Sequence, residues 1–364
     1  MSLLKEHLNQ RVEWTEDRGA ATPSTFPDSG EEAMACAVGT ALIDLSHGGT
    51  IAVSGEEAAT FLGGLVTNQI KDVTAERCIY SAMLTPQGRF LWDFTVVERD
   101  GGFLLHSEPD RMEPLLQMLT MYKLRSKVDL TNASSTIGVL AIAGPTAGVT
   151  LAKAFPELAE SLEAAESGSV FSPTMDAASD DGEAGARLWR DPRHDAFGWR
   201  LSASVDALPH LWDRIEAAGA VATGFSHWEH HRIAACLPRG GAEFIPDVSI
   251  PLESGLLEMN GVSFSKGCYV GQETTARTHH RGTIKKRLFA IEAQEVPEGT
   301  EGLAVGAPVT VGESKEAGKV TSLLCREGGC MGLGILRVSD VESEKPLSLA
   351  GVPMTANKPA WASW

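Results

Sequence analysis

The stretch 78–98, CIYSAMLTPQGRFLWDFTVVE, constrains the fold more than any other part of the chain. Two β-rich runs flank Pro86-Gln87-Gly88, a turn signal, so the segment predicts a long antiparallel hairpin. TIAVSG before it reads as a strand, and EEAATFLGGLVTNQI has helical periodicity with acids in its first turn. After it, RDGG makes a turn, FLLHS a third strand and RMEPLLQMLTMYKL a helix. These elements make 1–135, with an N-terminal extension, a first α+β domain. A second α+β domain is expected over 136–285, from the buried-strand run TIGVLAIAG, the strands ARLWRDPR and GWRLSAS, and the helical patterns ALPHLWDRIEAAGA and SHWEHHRIAACLP. From Leu288 the pattern becomes RLFAIEA, GAPVTVG, GKVTSLLCRE and CMGLGILRV, short β runs between Gly, Pro and acidic turns. That spacing makes 286–364 a small β-barrel or sandwich.

A chain of 364 residues exceeds one ordinary core, which agrees with several domains. Its formal charge of −17 argues against non-specific binding to nucleic acid or anionic membrane, since a phosphate surface needs a basic face. The charged start MSLLKEHLNQRVEWTEDRG lacks the apolar core of a secretory signal and carries acids that a mitochondrial presequence avoids, so a cytoplasmic protein is expected. Residues 154–186 hold eight acids and no Lys or Arg, a solvated surface whose second part, SPTMDAASDDGEAGA, is expected as a mobile loop. Six cysteines are scattered without a C-x-x-C pair. Cys325 and Cys330 flank the turn REGG, where they would face each other across a hairpin as ordinary reduced thiols. His227 and His231 are spaced as a helical pair, but no third ligand is fixed nearby, and no metal site is expected.

The most unusual local chemistry lies in KGCYVGQE, residues 266–273. Gly267 and Gly271 permit positive φ and close backbone approach, so the chain can turn sharply with Cys268 at the crest. GQETTARTHHRG then fits a short helix closed by Gly282, whose first-turn amides favour an anion or thiolate, and Lys266 adds positive charge. From Lys266 to Arg287 there are six Lys or Arg against one acid, Glu273. Three readings stay open on spacing alone: a tight turn with a buried thiol, a reactive low-pKa cysteine, and an anion-binding corner. His279 and His280 lie too far along the helix to be placed as a base. Asp93 fits either a solvent-facing strand position or a site carboxylate. Tyr122, Lys123, Arg125 and Lys127 fit a basic helix end with or without a ligand.

KGCYVGQE together with TARTHHRGTIKKRL resembles the signature of the YgfZ-type folate-binding proteins, a family that includes a mitochondrial iron–sulfur assembly factor. These are relatives of the glycine-cleavage T-protein, an aminomethyltransferase. FLGGLVTNQI, LTPQGRFLWDFTVV, YKLRSKV, GWRL and IPLESGLLEMNGVSF follow the family's order, so the likeness covers most of the chain. The resemblance implies an aminomethyltransferase-like ring of three domains, two α+β and a C-terminal β-barrel, around an opening that takes tetrahydrofolate. It implies support for assembly or repair of iron–sulfur proteins, radical-SAM tRNA-modifying enzymes included, with iron–sulfur carriers or clients as partners. Carried onto this chain, Cys268 and Lys266 are the catalytic candidates. Gly267, Tyr269, Gly271, Gln272, Glu273, Asp93 and Arg125 are the folate-binding ones. The transferases carry an adjacent acid pair where this chain has Trp92-Asp93, and a Thr-Gly-Glu element where it has RHDAFGWRL, with Asp195 the nearest acid. Aminomethyl transfer is therefore the alternative reading, beside a non-catalytic scaffold for iron–sulfur carriers, and enzyme status stays open.

Overall fold

The computed structural model of the chain describes residues 3–27, 31–174, 185–297, 300–312, 315–326, 328–343 and 345–364. Most of the acidic stretch expected as a mobile loop, 175–184, lies outside the described residues. The chain divides into two compact units, Met1–Ser81 with Asp93–His231, and Ala82–Trp92 with Arg232–Trp364. Among the described residues no helix is long and apolar enough to cross a membrane.

The long hairpin forms as the sequence indicates, from strands Ile79–Leu84 and Phe90–Arg99, and its tip, Ala82–Trp92, belongs to the second unit. Gly102–Ser107, Gly49–Ser54 and Asp129–Asn132 complete a five-stranded sheet in that order. The strand Ile79–Leu84 is buried at every position, because both of its faces are covered; hence it does not alternate, and its polar residue Ser81 accepts a hydrogen bond from the Asn68 amide. The helix Met112–Lys123 turns Met112, Leu115 and Leu119 inward, the one-face spacing of an amphipathic helix. A second, six-stranded sheet runs Val170–Phe171, Arg187–Arg190, Trp199–Ser204, Ile137–Ala143, Ala41–Asp44, Val221–Ala222. Ala41–Asp44 pairs antiparallel with Ile137–Ala143, so a strand from segment 1–135 is built into the sheet of segment 136–285. Leu42, Leu140, Ile142 and Leu201 on this sheet pack with Leu151, Leu211, Trp212 and Ile215 from helices Ala147–Ala154 and Leu208–Ala217.

The second unit contains a closed barrel of strands Lys286–Gln294, Gly329–Arg337, Lys315–Arg326, Pro308–Val311, Leu347–Leu349 and Val352–Asn357. Its interior is filled by Phe289, Ile291, Val309, Val320, Leu336 and Leu349. Closure removes the open edges that short strands would otherwise expose. Cys325 and Cys330 do face each other across the hairpin, in direct register. They are not ordinary thiols, however: with Cα atoms 4.1 Å apart they form a disulfide.

The two sheets of the first unit meet through the apolar cluster of Val97, Val170 and Trp189 and through a ring pair beside it. His106 stacks on Trp189 with centroids 5.3 Å apart and planes at 17°. His106 Nδ1 bonds Thr50 Oγ1 at 2.9 Å, and Nε2 is shut off from solvent without a partner. Burial, reinforced by the charge of Arg99, drives the imidazole pKa from 6.5 down to about 3. A base whose folded pKa is depressed binds its proton first in the unfolded chain. Stability is therefore lost as pH falls from 6.5 towards 3. Denaturant titrations of wild type and His106→Phe over that window should show a steeper acid loss for wild type; parallel profiles would clear His106 of the effect.

Candidate functional site

The cysteine turn lies in the second unit, ahead of the helix Gln272–Arg281. Gly271 caps that helix at φ 84°, in the left-handed region. A Cβ there would stand 2.5 Å from the carbonyl oxygen of Thr85 and 2.9 Å from Cβ of Leu84. Gly88, at φ 76°, meets the helix reciprocally, since a Cβ on it would come 2.9 Å from Cβ of Thr274. The hairpin tip and the helix start are thus fitted backbone to backbone, and only glycine suits Gly271. Gly267 has no such constraint: its φ is not positive, and an added Cβ would meet nothing within 4 Å. The expectation that both glycines bend the turn is corrected to Gly271 alone.

Cys268 is exposed, whereas the other free cysteines Cys36, Cys78 and Cys236 are buried. Burial raises the Cys36 thiol to about 12 and holds Cys78 and Cys236 well above the ordinary range. Cys268 makes no hydrogen bond or ion pair among the described residues. Two residues before it, Lys266 is buried at 7% exposure, with Nζ 4.9 Å over the Tyr269 ring. Burial lowers its amine to about 8, so near pH 8 a substantial fraction is neutral. Burial also raises the Tyr269 phenol to about 12, against the Thr275 side chain. Gln272 is half-buried and Glu273 exposed in the helix's first turn. Phe264 stacks on His279 at 4.1 Å and meets His280 edge-on, which holds both imidazoles at the far end of the helix. A small cavity of about 80 Å³ lies along the helix, lined by Gln87, Arg89, Pro251, Thr274, Thr275 and Thr278 among others.

Asp93 belongs to the first unit and is not a solvent-facing strand residue: it is 7% exposed. The Tyr80 hydroxyl donates to its Oδ2 at 2.7 Å, and Ser107 donates to its main-chain oxygen. Burial, and then the charge of Glu108, raise the Asp93 carboxyl, opposed by Tyr80, Arg193 and Arg18. Arg193 lies 3.6 Å over the Phe197 ring, 5.4 Å from the Tyr80 ring, and clamps Asp191 through Nε and Nη2 at 2.9 and 2.7 Å. Arg200, 3.5 Å from the same carboxylate, is lowered to about 10 by burial. Burial alone would raise Asp191, but the two guanidiniums hold it below the ordinary value. Tyr80, Asp191, Arg193 and Arg200 escape a reading by motif. Their signal is only the charged run WRDPRH at the end of one strand, an arginine inside the next, and a tyrosine in a buried strand. Asp195 does not join this cluster: its side chain is exposed and bonds Arg190 at 2.9 Å.

Arg125 stands apart on an exposed turn after the helix Met112–Lys123, next to Leu124 at φ 46° and 87% exposure. An open recess of about 670 Å³ is bounded by Glu57, Leu124, Arg125 and Ser126. Lys127 pairs with Glu56, and Lys123 with Asp129.

Residues 3–262 match the GCVT N-terminal domain. The chain belongs to that family. Residues 285–364 match the CAF17 C-terminal beta-barrel domain. Iron-sulfur cluster assembly factor IBA57, mitochondrial, of Mus musculus is 33% identical over 330 residues, 85% of this chain and 82% of the relative. The Homo sapiens protein of that name is 32% identical over 336 residues, with the same coverage. Aminomethyltransferase T of the glycine cleavage system from Bartonella henselae superposes with a TM-score of 0.78 at 18% identity, over 100% of this chain and 97% of its own. The fold is therefore that of the aminomethyltransferases, α+β domains with a closed six-stranded C-terminal barrel. The cytoplasmic placement expected from the N-terminal composition is corrected by the IBA57 relatives, which are named as mitochondrial.

The geometry at the turn separates its two glycines. Gly271→Ala should cost about 2 kcal/mol or more, from left-handed strain plus the approach to Thr85. Gly267→Ala should stay within about 0.5 kcal/mol of wild type. Urea unfolding of the pair measures both, and equal losses would contradict the assignment.

Proposed function

We propose that this GCVT-family protein supports assembly or repair of iron–sulfur proteins through the Cys268 thiol, with a tetrahydrofolate-class reduced folate as its ligand. The carrying observation is the contrast among thiols: Cys268 is the free cysteine that faces solvent, and it sits on a turn whose glycine cannot be replaced without strain. An exposed sulfur there can act as a soft ligand or nucleophile towards an iron or sulfur species presented by a carrier or client protein. Lys266, neutral in part near pH 8, can accept or supply a proton at its Nζ. The names of the relatives support the assembly role. The YgfZ-like signature extends the clients to radical-SAM tRNA-modifying enzymes.

The donor set fits a folate in one respect. Asp93 Oδ2 is taken by Tyr80, while Oδ1 accepts no hydrogen bond among the described residues, so one carboxylate oxygen is available to an N–H donor. A bound reduced folate supplies a one-carbon acceptor amine. Asp93 would orient it, and the exposed Arg125 of the same unit would meet the anionic tail. The adjacent acid is Trp92 here, so the chain lacks a second carboxylate for aminomethyl transfer.

Three outcomes are expected. Cys268→Ala should fold normally yet fail to restore activity to a four-iron client enzyme in a reconstitution assay; full restoration would remove the thiol from the mechanism. Incubation with tetrahydrofolate and an aminomethyl donor should form no methylenetetrahydrofolate, and clear formation would favour the transferase reading. In calorimetry, Asp93→Asn should weaken tetrahydrofolate binding about tenfold, the loss of one charge-assisted hydrogen bond. Absence of binding by the wild type would instead favour the scaffold reading.

A further inference from the structure

We propose that the Cys325–Cys330 bridge is a thiol-exchange site, opened by a small anionic thiol of the glutathione class that attacks Sγ of Cys325. The two cysteines form one rung between strands Lys315–Arg326 and Gly329–Arg337, next to the turn that joins them. Their surroundings are unequal. Cys330 is 6% exposed, belongs to the barrel core, and its strand is paired on the other side at Ala293. Cys325 is exposed, because its strand's other neighbour, Pro308–Val311, pairs only with the Lys315–Lys319 end. An incoming thiolate therefore reaches Cys325 first. Arg326, exposed and without an ion pair among the described residues, offers a cation to the carboxylates of such a thiol.

In the first step the external thiolate forms a bond to Cys325 Sγ. The bond to Cys330 breaks, and its electron pair stays on Cys330, which takes up a proton. In the second, another external thiolate attacks the external sulfur of the mixed disulfide. Cys325 leaves as a thiol, and the two external thiols depart as their own disulfide. The reverse sequence, driven by that oxidised disulfide, closes the bridge. The rungs on either side, Leu324 with Met331 and Arg326 with Gly329, hold the hairpin through both states. A short loop contributes less chain-entropy stabilisation than a long one, and the ladder on both sides of the rung keeps the barrel folded when the bridge opens.

The test uses the full chain under native conditions in buffers of varied reduced-to-oxidised glutathione ratio, quenched in acid. Trypsin cleavage after Arg326 separates the two cysteines for mass mapping and keeps both apart from Cys268. The bridge should open and close reversibly with the ratio, with an unchanged circular dichroism spectrum. Cys330→Ser should accumulate at least about tenfold more adduct on Cys325 than Cys325→Ser does on Cys330. A bridge that opens only after denaturation, a pair that never closes, or adduct formed equally at both sulfurs would overturn the proposal. If either variant fails to fold, the position of the adduct trapped in the unaltered protein decides the same question.

Discussion

A single buried carboxylate organises the second unit. Glu243 is fully buried, and its two oxygens accept from Arg232 Nη1, the Arg239 amide, Thr321 Oγ1 and Ser322 Oγ, at 2.5 to 3.0 Å. Its own carbonyl accepts from Ser249 and Ser254. Thr321 and Ser322 are consecutive on one strand, where side chains normally point to opposite faces. They reach the same carboxylate because the pairing with Gly329–Arg337 shifts register between Val320 and Ser322, and a bulge re-aims a side chain. A buried ion pair is costly unless every lone pair is met, and here the donors nearly saturate it. The outcome is a fixed origin for the backbone from 235 to 271, which has no helix or strand and leads into the cysteine turn.

That long irregular segment explains why the turn was readable and its support was not. KGCYVGQE is a local pattern, and the helix after it begins and ends where the capping glycines indicate. The barrel strands and the long hairpin are likewise local, set by period and turn chemistry. Glu243 gives no such signal, since two of its partners, Thr321 and Ser322, lie 78 and 79 residues away and reach it only through a bulge. The same applies to Ala41–Asp44, a short apolar run that becomes a strand only because Ile137–Ala143 accepts it in a later sheet. Asp93 shows the limit most plainly. Alternation along the strand allows a solvent position, but both faces of that sheet are covered, and the covering layer decides its chemistry.

Cysteine shows how little residue type alone says. Cys78 sits against Val97, Val170 and Trp189, and Cys236 packs with Ile233, Leu288 and Leu333; both are apolar fillers. Cys325 and Cys330 become a bridge through strand register, which spacing across a turn could suggest and compartment arguments obscured. Among the free cysteines, only Cys268 is exposed.

The basic island is smaller as a surface than as a count. Of the six cations between Lys266 and Arg287, Lys266 is buried over Tyr269. Arg287 donates to Glu258 and to the Leu252 carbonyl, and its guanidinium lies 5.1 Å from the Trp364 ring. Burial raises the Glu253 carboxyl, while Lys286, Arg89 and Arg287 pull it back, so part of their field is spent inside the unit. Among the described side chains of the island, Arg277 and Lys285 are the ones that stand exposed, a pair suited to one small anion. Capture of an anion by such exposed cations is screened by salt, because charges facing water lose their attraction beyond about 10 Å at ordinary ionic strength.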